Sequence, residues 1–240
     1  MGKALYVGYK NGNIDQIVGD RIYNIPAIQL ATFSGSKKIN RFFRTNEGIY
    51  VCTDFGIVLL NPSKKEVKDT YYPTNGEEPI VDLTVKNKTI YALTPTRLFT
   101  GEEKNVLLPS PQGWFHDVRL KEWNYGSYAA IEEVNGDIFV LAKSSSYSND
   151  TVLKLIATTF EAFNFYTSEL EISNLSQHKN RLDILADGAL LTCDNQGQML
   201  ESVLSFYLGI FFTIHPTDLF LPSSVLRPLP SVIRPPPSVP

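Results

Sequence analysis

The sequence contains few of the residues that build catalytic and metal sites. Only three of its 240 residues are histidines and two are cysteines, and they do not occur at metal-ligand spacings. No H-E-x-x-H, P-loop, G-x-G-x-x-G, G-x-S-x-G or calcium-loop motif is present. We therefore predict no catalytic, cofactor-binding or metal-binding residues in this sequence.

A large excess of charge of one sign is also missing. The 22 lysine and arginine residues are opposed by 25 aspartate and glutamate residues, which gives a net charge of -3. A field this weak does not favour a nucleic-acid partner. Residues 203–214 form an apolar run, but a transmembrane helix needs about 20 such residues. We therefore expect neither a nucleic-acid partner nor a transmembrane segment.

Adjacent glutamates occur three times, at residues 77–78, 102–103 and 132–133. Neighbouring side chains on a strand point to opposite faces, and carboxylate pairs in loops are usually solvated. We interpret these pairs as solvated charge rather than as acid/base pairs.

What the sequence does contain is a short β-type pattern, clearest in residues 48–72. Ile49–Thr53 is rich in β-branched and aromatic residues, and residues 57–60 form an apolar run short enough for a buried strand. Turn signals follow each of them, at residues 54–56 and 61–65. Residues 66–71 alternate between polar and apolar side chains, as an edge strand with one solvated face does. Residues 38–45 can supply a fourth strand. The unit is therefore a four-stranded meander.

The same unit recurs along the chain. Its cores begin at residues 5, 49, 90, 138 and 182, with spacings of 44, 41, 48 and 44. A period in the forties with short strands predicts an all-β protein, a β-propeller with four-stranded blades. The aligned cores are residues 5–7, 49–51, 90–92, 138–140 and 182–184.

Five blades are fewer than most propellers have, so we expect an incomplete ring, a piece of a longer protein. The partial propeller is expected over residues 1–202. Residues 203–240 form a proline-rich and apolar tail in which no repeat core can be placed. Either a disordered linker or a slip of the reading frame near residue 200 accounts for this tail.

Two further predictions concern single residues. Cys52 and Cys193 lie in different repeats at non-equivalent positions, so we predict two buried free thiols. Trp114, Trp123 and Tyr125 lie in the longest connection between repeats. These rings are either candidate partner-binding residues or a plug between adjacent blades.

Particular stretches resemble a known family. Residues 53–57, Thr-Asp-Phe-Gly-Ile, match the T-x-x-G-[IL] turn of two-component-regulator propeller repeats, and residues 94–98 match it except for the glycine. The stretches YVGYKNGNIDQI, GSKKIN and TDFGIVLLNPSKKEVKDTYY resemble the N-terminal propeller of the PorZ family of Bacteroidetes. This likeness covers about residues 4–200 and is most specific in residues 5–72.

The resemblance implies a non-enzymatic component of the type IX protein secretion system. It implies a location at the cell surface, the outer membrane or the periplasm. The expected partners are the PorU sortase and anionic lipopolysaccharide, to which secreted proteins are attached.

Two other classes stay open. The alternative hypothesis is that the chain is the extracytoplasmic, ligand-sensing propeller of a hybrid two-component regulator, which binds a glycan fragment. A propeller lyase or hydrolase requires catalytic residues in blades outside this sequence.

Overall fold

The computed structural model describes residues 4–33, 35–121, 126–145, 150–163, 171–186, 189–205 and 211–214. Nearly all regular structure in these ranges is antiparallel β-sheet, arranged as five successive blades. The predicted all-β propeller is therefore confirmed. The short α-helix α1 (Ala27–Leu30) follows the first blade, and a 3-10 turn at Pro111–Gly113 lies within the third.

Each blade is a meander in which consecutive strands pair. The first contains β1 (Ala4–Gly8), β2 (Ile14–Val18) and β3 (Arg21–Ile25). The second contains β4 (Ile39–Arg44), β5 (Ile49–Thr53), β6 (Gly56–Asn61) and β7 (Glu66–Tyr71). The third contains β8 (Asp82–Lys86), β9 (Thr89–Leu93), β10 (Leu98–Glu102) and β11 (Phe115–His116).

The last two blades follow the same order. The fourth contains β12 (Gly126–Val134), β13 (Asp137–Ser144), β14 (Thr151–Ile156) and β15 (Thr159–Ala162). The fifth contains β16 (Ile172–His178), β17 (Arg181–Ala186), β18 (Ala189–Cys193), β19 (Met199–Ser205) and β20 (Phe211–Ile214). Strand β19 crosses residue 202, and β20 lies within the range expected to be a tail.

The core is divided among the seams between consecutive blades. Four apolar clusters lie between blades 1 and 2, 2 and 3, 3 and 4, and 4 and 5. Strand β5 shows how one strand serves two seams, because alternate side chains point to opposite faces. Ile49 and Val51 pack towards the first blade, whereas Tyr50 and Cys52 pack towards the third.

A repeated aromatic position marks the side of each blade that faces the next one. Tyr6, Tyr50, Tyr91 and Phe139 occupy it in blades 1 to 4, each packing in the cluster shared with the following blade. In the fifth blade this position holds Asp183, whose Oδ1 accepts a 2.7 Å hydrogen bond from the Thr192 hydroxyl. At this one position the fifth blade is therefore polar where the others are aromatic.

The threonine of the T-x-x-G turn has a clear structural role. In the turn between β5 and β6, the buried Thr53 hydroxyl donates to the Gly56 carbonyl at 2.8 Å and accepts from the Phe55 N–H at 3.3 Å. The third blade closes the equivalent turn in the same way, with Thr94 Oγ1 donating to the Arg97 carbonyl at 3.1 Å. The turn therefore depends on the threonine hydroxyl even where the glycine is replaced.

Removing this hydroxyl tests its contribution to stability. Thr53→Val keeps the shape of the side chain but removes the hydroxyl partner of the buried Gly56 carbonyl and of the half-buried Phe55 N–H, so we expect a loss of about 1–3 kcal/mol of unfolding free energy. Urea denaturation measures the loss. Thr45→Val is the matched control, because its hydroxyl is 3.4 Å from the Gly48 carbonyl in a half-buried turn. Equal losses in the two variants would contradict this role for Thr53.

Both cysteines are buried free thiols, as predicted. Burial raises the pKa of Cys52 well above its ordinary value and that of Cys193 to about 12. Both thiols therefore stay neutral at physiological pH.

Candidate functional site

The first site lies where the inner strands of three blades meet. Arg41 on β4 reaches Asp82 on β8, with 3.4 Å between its Nε and the Asp82 Oδ1. It also reaches Glu132 on β12, with 2.5 Å between Nη2 and the Glu132 Oε1. A side chain of the second blade can contact both the third and the fourth blades only near the centre of the ring. We call Arg41, Asp82 and Glu132 the axial cluster.

The two carboxylates of the axial cluster are deeply buried. Asp82 is 1% exposed and Glu132 is 6% exposed. Asp82 also accepts hydrogen bonds from the backbone N–H of Ile131, at 3.0 Å, and of Leu83, at 2.8 Å. Because Ile131 belongs to β12, the Asp82 carboxylate joins the third blade to the fourth directly, through the Ile131 N–H, as well as through Arg41.

Burial changes the protonation of this cluster. Desolvation raises the pKa of Glu132 to about 8, and the charge of Asp82 adds to the rise while Arg41 opposes it. Desolvation also raises the pKa of Asp82 to about 6, against the effect of Arg41 and the two backbone donors. The interpretation of Glu132 as solvated charge was wrong, because its position on an inner strand places the carboxylate inside the ring.

The second site is a cleft at the outer edge of the third blade. Its volume is about 400 Å³, and it is lined by Thr96, Arg97, His116, Val118, Leu120 and Lys121. We call it the edge cleft. Leu120 is buried, whereas Val118 is 73% exposed. The lining therefore combines apolar surface with cationic groups.

One carboxylate fixes the side of the edge cleft formed by the turn after β9. Glu78 accepts hydrogen bonds from Arg97 Nε and from the Thr96 hydroxyl, each at 2.8 Å. Burial tends to raise the pKa of Glu78, but hydrogen bonds from Thr94, Thr96 and Arg97 outweigh it and hold the pKa below its ordinary value. Arg97 is therefore neutralised by an ionised partner, and Lys121 is the exposed cation of the cleft.

The predicted aromatic candidates are only partly within the described residues. Trp114 is 6% exposed and packs in the seam between the second and third blades. Its indole N–H donates to the Leu108 carbonyl at 2.9 Å, and its ring centroid is 6.5 Å from that of Tyr71. Its ring is thus placed inside the protein. Trp123 and Tyr125 lie outside the described residues.

Two further kinds of feature are missing from the described ranges. No three His, Cys, Asp or Glu side chains within them are close enough together to hold a metal ion. No helix in the same ranges is long and apolar enough to cross a membrane.

Five blades that pack face to face through shared apolar seams define a β-propeller. Within this class, residues 1–114 match the family model of the N-terminal β-propeller domain of PorZ from the type IX secretion system. The match extends from the first blade to Trp114, just before the last strand of the third. The resemblance predicted from the sequence is therefore confirmed by this match. A comparison with curated proteins finds no match.

Solved structures share the fold. PorZ of Porphyromonas gingivalis, described as an essential surface component of its type IX secretion system, aligns with a TM-score of 0.64 and 22% identity over 82% of this chain. The extracellular domain of a putative one-component system from B. thetaiotaomicron aligns at 0.52 and 14% over 88%. The WD40 propeller of Doa1 aligns at 0.57 and 10% over 85% of this chain and 66% of its own.

The chain spans only part of the first two of these proteins, 25% of PorZ and 30% of the B. thetaiotaomicron domain. At these identities the alignments establish the propeller architecture.

Proposed function

We propose that this chain is a non-catalytic β-propeller component of a type IX secretion system. It acts at the cell surface or in the periplasm as a binding module for a PorU-like sortase. The observation that carries this proposal is the match of residues 1–114 to the PorZ N-terminal propeller. The structural likeness to PorZ, a surface component of such a system, supports the same function.

The edge cleft is the surface we assign to the protein partner. It joins apolar groups, Val118 and Leu120, to the exposed cation Lys121. Phe115, on the adjacent edge strand β11, is 68% exposed and extends the apolar surface. Apolar anchors beside a charge are typical of binding surfaces, where burial supplies affinity and charge supplies specificity. The cleft thus fits a partner segment with an apolar side chain and a neighbouring carboxylate.

The direct test is binding between this chain and the PorU-like sortase of the bacterium that encodes it. Surface plasmon resonance with the purified proteins is expected to show saturable binding. Deleting the gene is expected to leave secreted proteins with an uncleaved C-terminal signal. If the deletion strain removed the C-terminal signal normally and the purified proteins did not bind each other, the proposed secretion role would be contradicted.

Variants of the edge cleft test the assigned surface. We expect Lys121→Glu to weaken sortase binding by about tenfold or more, because it places a carboxylate against the partner's carboxylate. Val118→Ser is expected to weaken binding more modestly by removing an apolar contact. Val106→Ser is the control, because Val106 is 88% exposed and lies outside the cleft lining. Equal affinity of all variants would place the partner elsewhere.

A second function is favoured by the likeness to the extracellular domain of the B. thetaiotaomicron system. In that case the propeller senses a glycan fragment. Calorimetry with a panel of oligosaccharides separates the two candidates, because a sensor is expected to bind one of them with a defined stoichiometry. The secretion component is expected to bind the sortase instead. The sequence downstream in the gene gives an independent answer, since a transmembrane helix and a histidine kinase there would favour the sensor of a hybrid two-component regulator.

A further inference from the structure

The axial cluster contains unequal numbers of positive and negative groups. Arg41 supplies one guanidinium, whereas Asp82 and Glu132 supply two carboxyl groups, both almost fully buried. An uncompensated charge in such a place is strongly unfavourable. One guanidinium compensates one carboxylate, so the second carboxyl group is more stable with its proton.

The hydrogen bonds decide which carboxyl group keeps the proton. Asp82 accepts from two backbone N–H groups in addition to its ion pair with Arg41. Glu132 accepts from the Arg41 guanidinium. Because backbone donors favour the ionised form, Asp82 is the carboxylate and Glu132 is the protonated acid.

The surrounding titratable groups reinforce this assignment. Asp82, and Glu133 on its own strand, raise the pKa of Glu132, while Arg41 lowers it. Cys52 on β5 faces Asp82 and Arg41, and burial keeps its thiol neutral. The proton on Glu132 is thus the last one that the axial cluster loses as the pH of the solvent rises.

We propose that the axial cluster is a protonation-dependent clamp that joins the inner strands of the second, third and fourth blades. With Glu132 protonated, Arg41 bridges the blades without an uncompensated charge. Loss of that proton to solvent leaves two carboxylates around one guanidinium and weakens the contact between blades. This clamp is independent of the partner surface and gives the propeller a stability that depends on pH.

The direction of the pH effect follows from linkage. In the unfolded chain both carboxyl groups have ordinary pKa values, whereas in the folded chain the pKa of Glu132 is about 8 and that of Asp82 about 6. The folded state therefore holds more protons than the unfolded state between about pH 4 and pH 8. Stability is present in full below this window and is lost as the pH rises through it.

Glu132→Gln tests the clamp, because glutamine mimics the protonated acid at every pH and keeps an oxygen to accept from Arg41. We expect the variant and the wild-type chain to have similar melting temperatures at pH 5.5. At pH 8.5 the variant is expected to melt about 5 °C higher. Glu161→Gln makes the same change on the exposed outer strand of the fourth blade, and its difference from the wild type is expected not to depend on pH.

Hydrogen exchange gives a second readout at the contact itself. The Ile131 amide donates to Asp82 across the blades, whereas the Asp117 amide donates to the Leu98 carbonyl within the third blade. Corrected for intrinsic exchange, protection of Ile131 is expected to fall between pH 6 and pH 9 in the wild type but not in Glu132→Gln. Asp117 serves as the internal control. The clamp would be overturned if the stability of Glu132→Gln depended on pH as strongly as that of the wild type, or if the variant were less stable than the wild type at pH 8.5.

Discussion

Arg41→Met is expected to lower the unfolding free energy by about 3–5 kcal/mol at pH 8, the largest loss we predict for any single side chain. Methionine preserves most of the side-chain volume but removes the only cation of the axial cluster. Asp82 and Glu132 then remain buried with no opposite charge. Guanidinium denaturation at fixed pH measures the loss.

The pH dependence of this loss identifies its cause. Protonation of both carboxyl groups removes the uncompensated charge from the variant. The difference in unfolding free energy from the wild type is therefore expected to shrink as the pH falls towards 5. Lys68→Met is the control, since the Lys68–Glu47 pair is 3.4 Å long and lies on the surface. Exposed pairs contribute less than about 1 kcal/mol. If both variants lose the same stability at pH 8, the axial cluster is not a buried ionic contact.

The repeat could be predicted from the sequence because blades bury both faces of their inner strands. Apolar runs such as residues 57–60 and the recurring cores then stand out against polar turns, and the period of the pattern gives the architecture. The T-x-x-G turn is equally local, since the Thr53 hydroxyl bonds to Phe55 and Gly56, within three positions of itself. Such features depend on neighbours in the chain and are visible in one sequence.

The axial cluster could not be predicted, because its members are far apart in the chain. Arg41 and Glu132 are 91 residues apart and contact each other only when three blades are arranged around a centre. The sequence shows an arginine, an aspartate and a glutamate on three separate predicted strands, and nothing in it indicates that they contact one another. Burial of Glu132 follows from the curvature of the ring, and no local spacing encodes that curvature.

The edge cleft illustrates a different limit. Its lining comes from the turn after β9, from His116 on β11 and from the segment after β11. The sequence predicted a turn for the first and a connection between repeats for the other two. Tryptophan in the same connection suggested a binding platform, but Trp114 packs in the seam and Val118 is the exposed apolar residue. Exposure of one apolar residue and burial of another in the same loop are decided by tertiary packing.

Gly56→Ala is expected to cost about 3 kcal/mol of unfolding free energy, the second large effect we predict. The residue has φ +151°, a conformation that side chains rarely adopt, and an added Cβ would lie 2.4 Å from the Tyr71 carbonyl oxygen. That oxygen belongs to the backbone of β7, so it cannot rotate away. The substitution therefore forces β6 and β7 apart where β6 begins and β7 ends.

Gly35→Ala separates the two causes of this cost. Gly35 also has a large positive φ, +128°, but an added Cβ there meets nothing within 4 Å. We expect this variant to lose about 1–2 kcal/mol, the cost of the backbone conformation alone. The difference between the two variants then measures the close approach of Gly56 to β7, and chemical denaturation of both proteins gives it directly. Similar losses would mean that the requirement for glycine at position 56 comes from its backbone conformation alone, and that the second blade relaxes around the added methyl group.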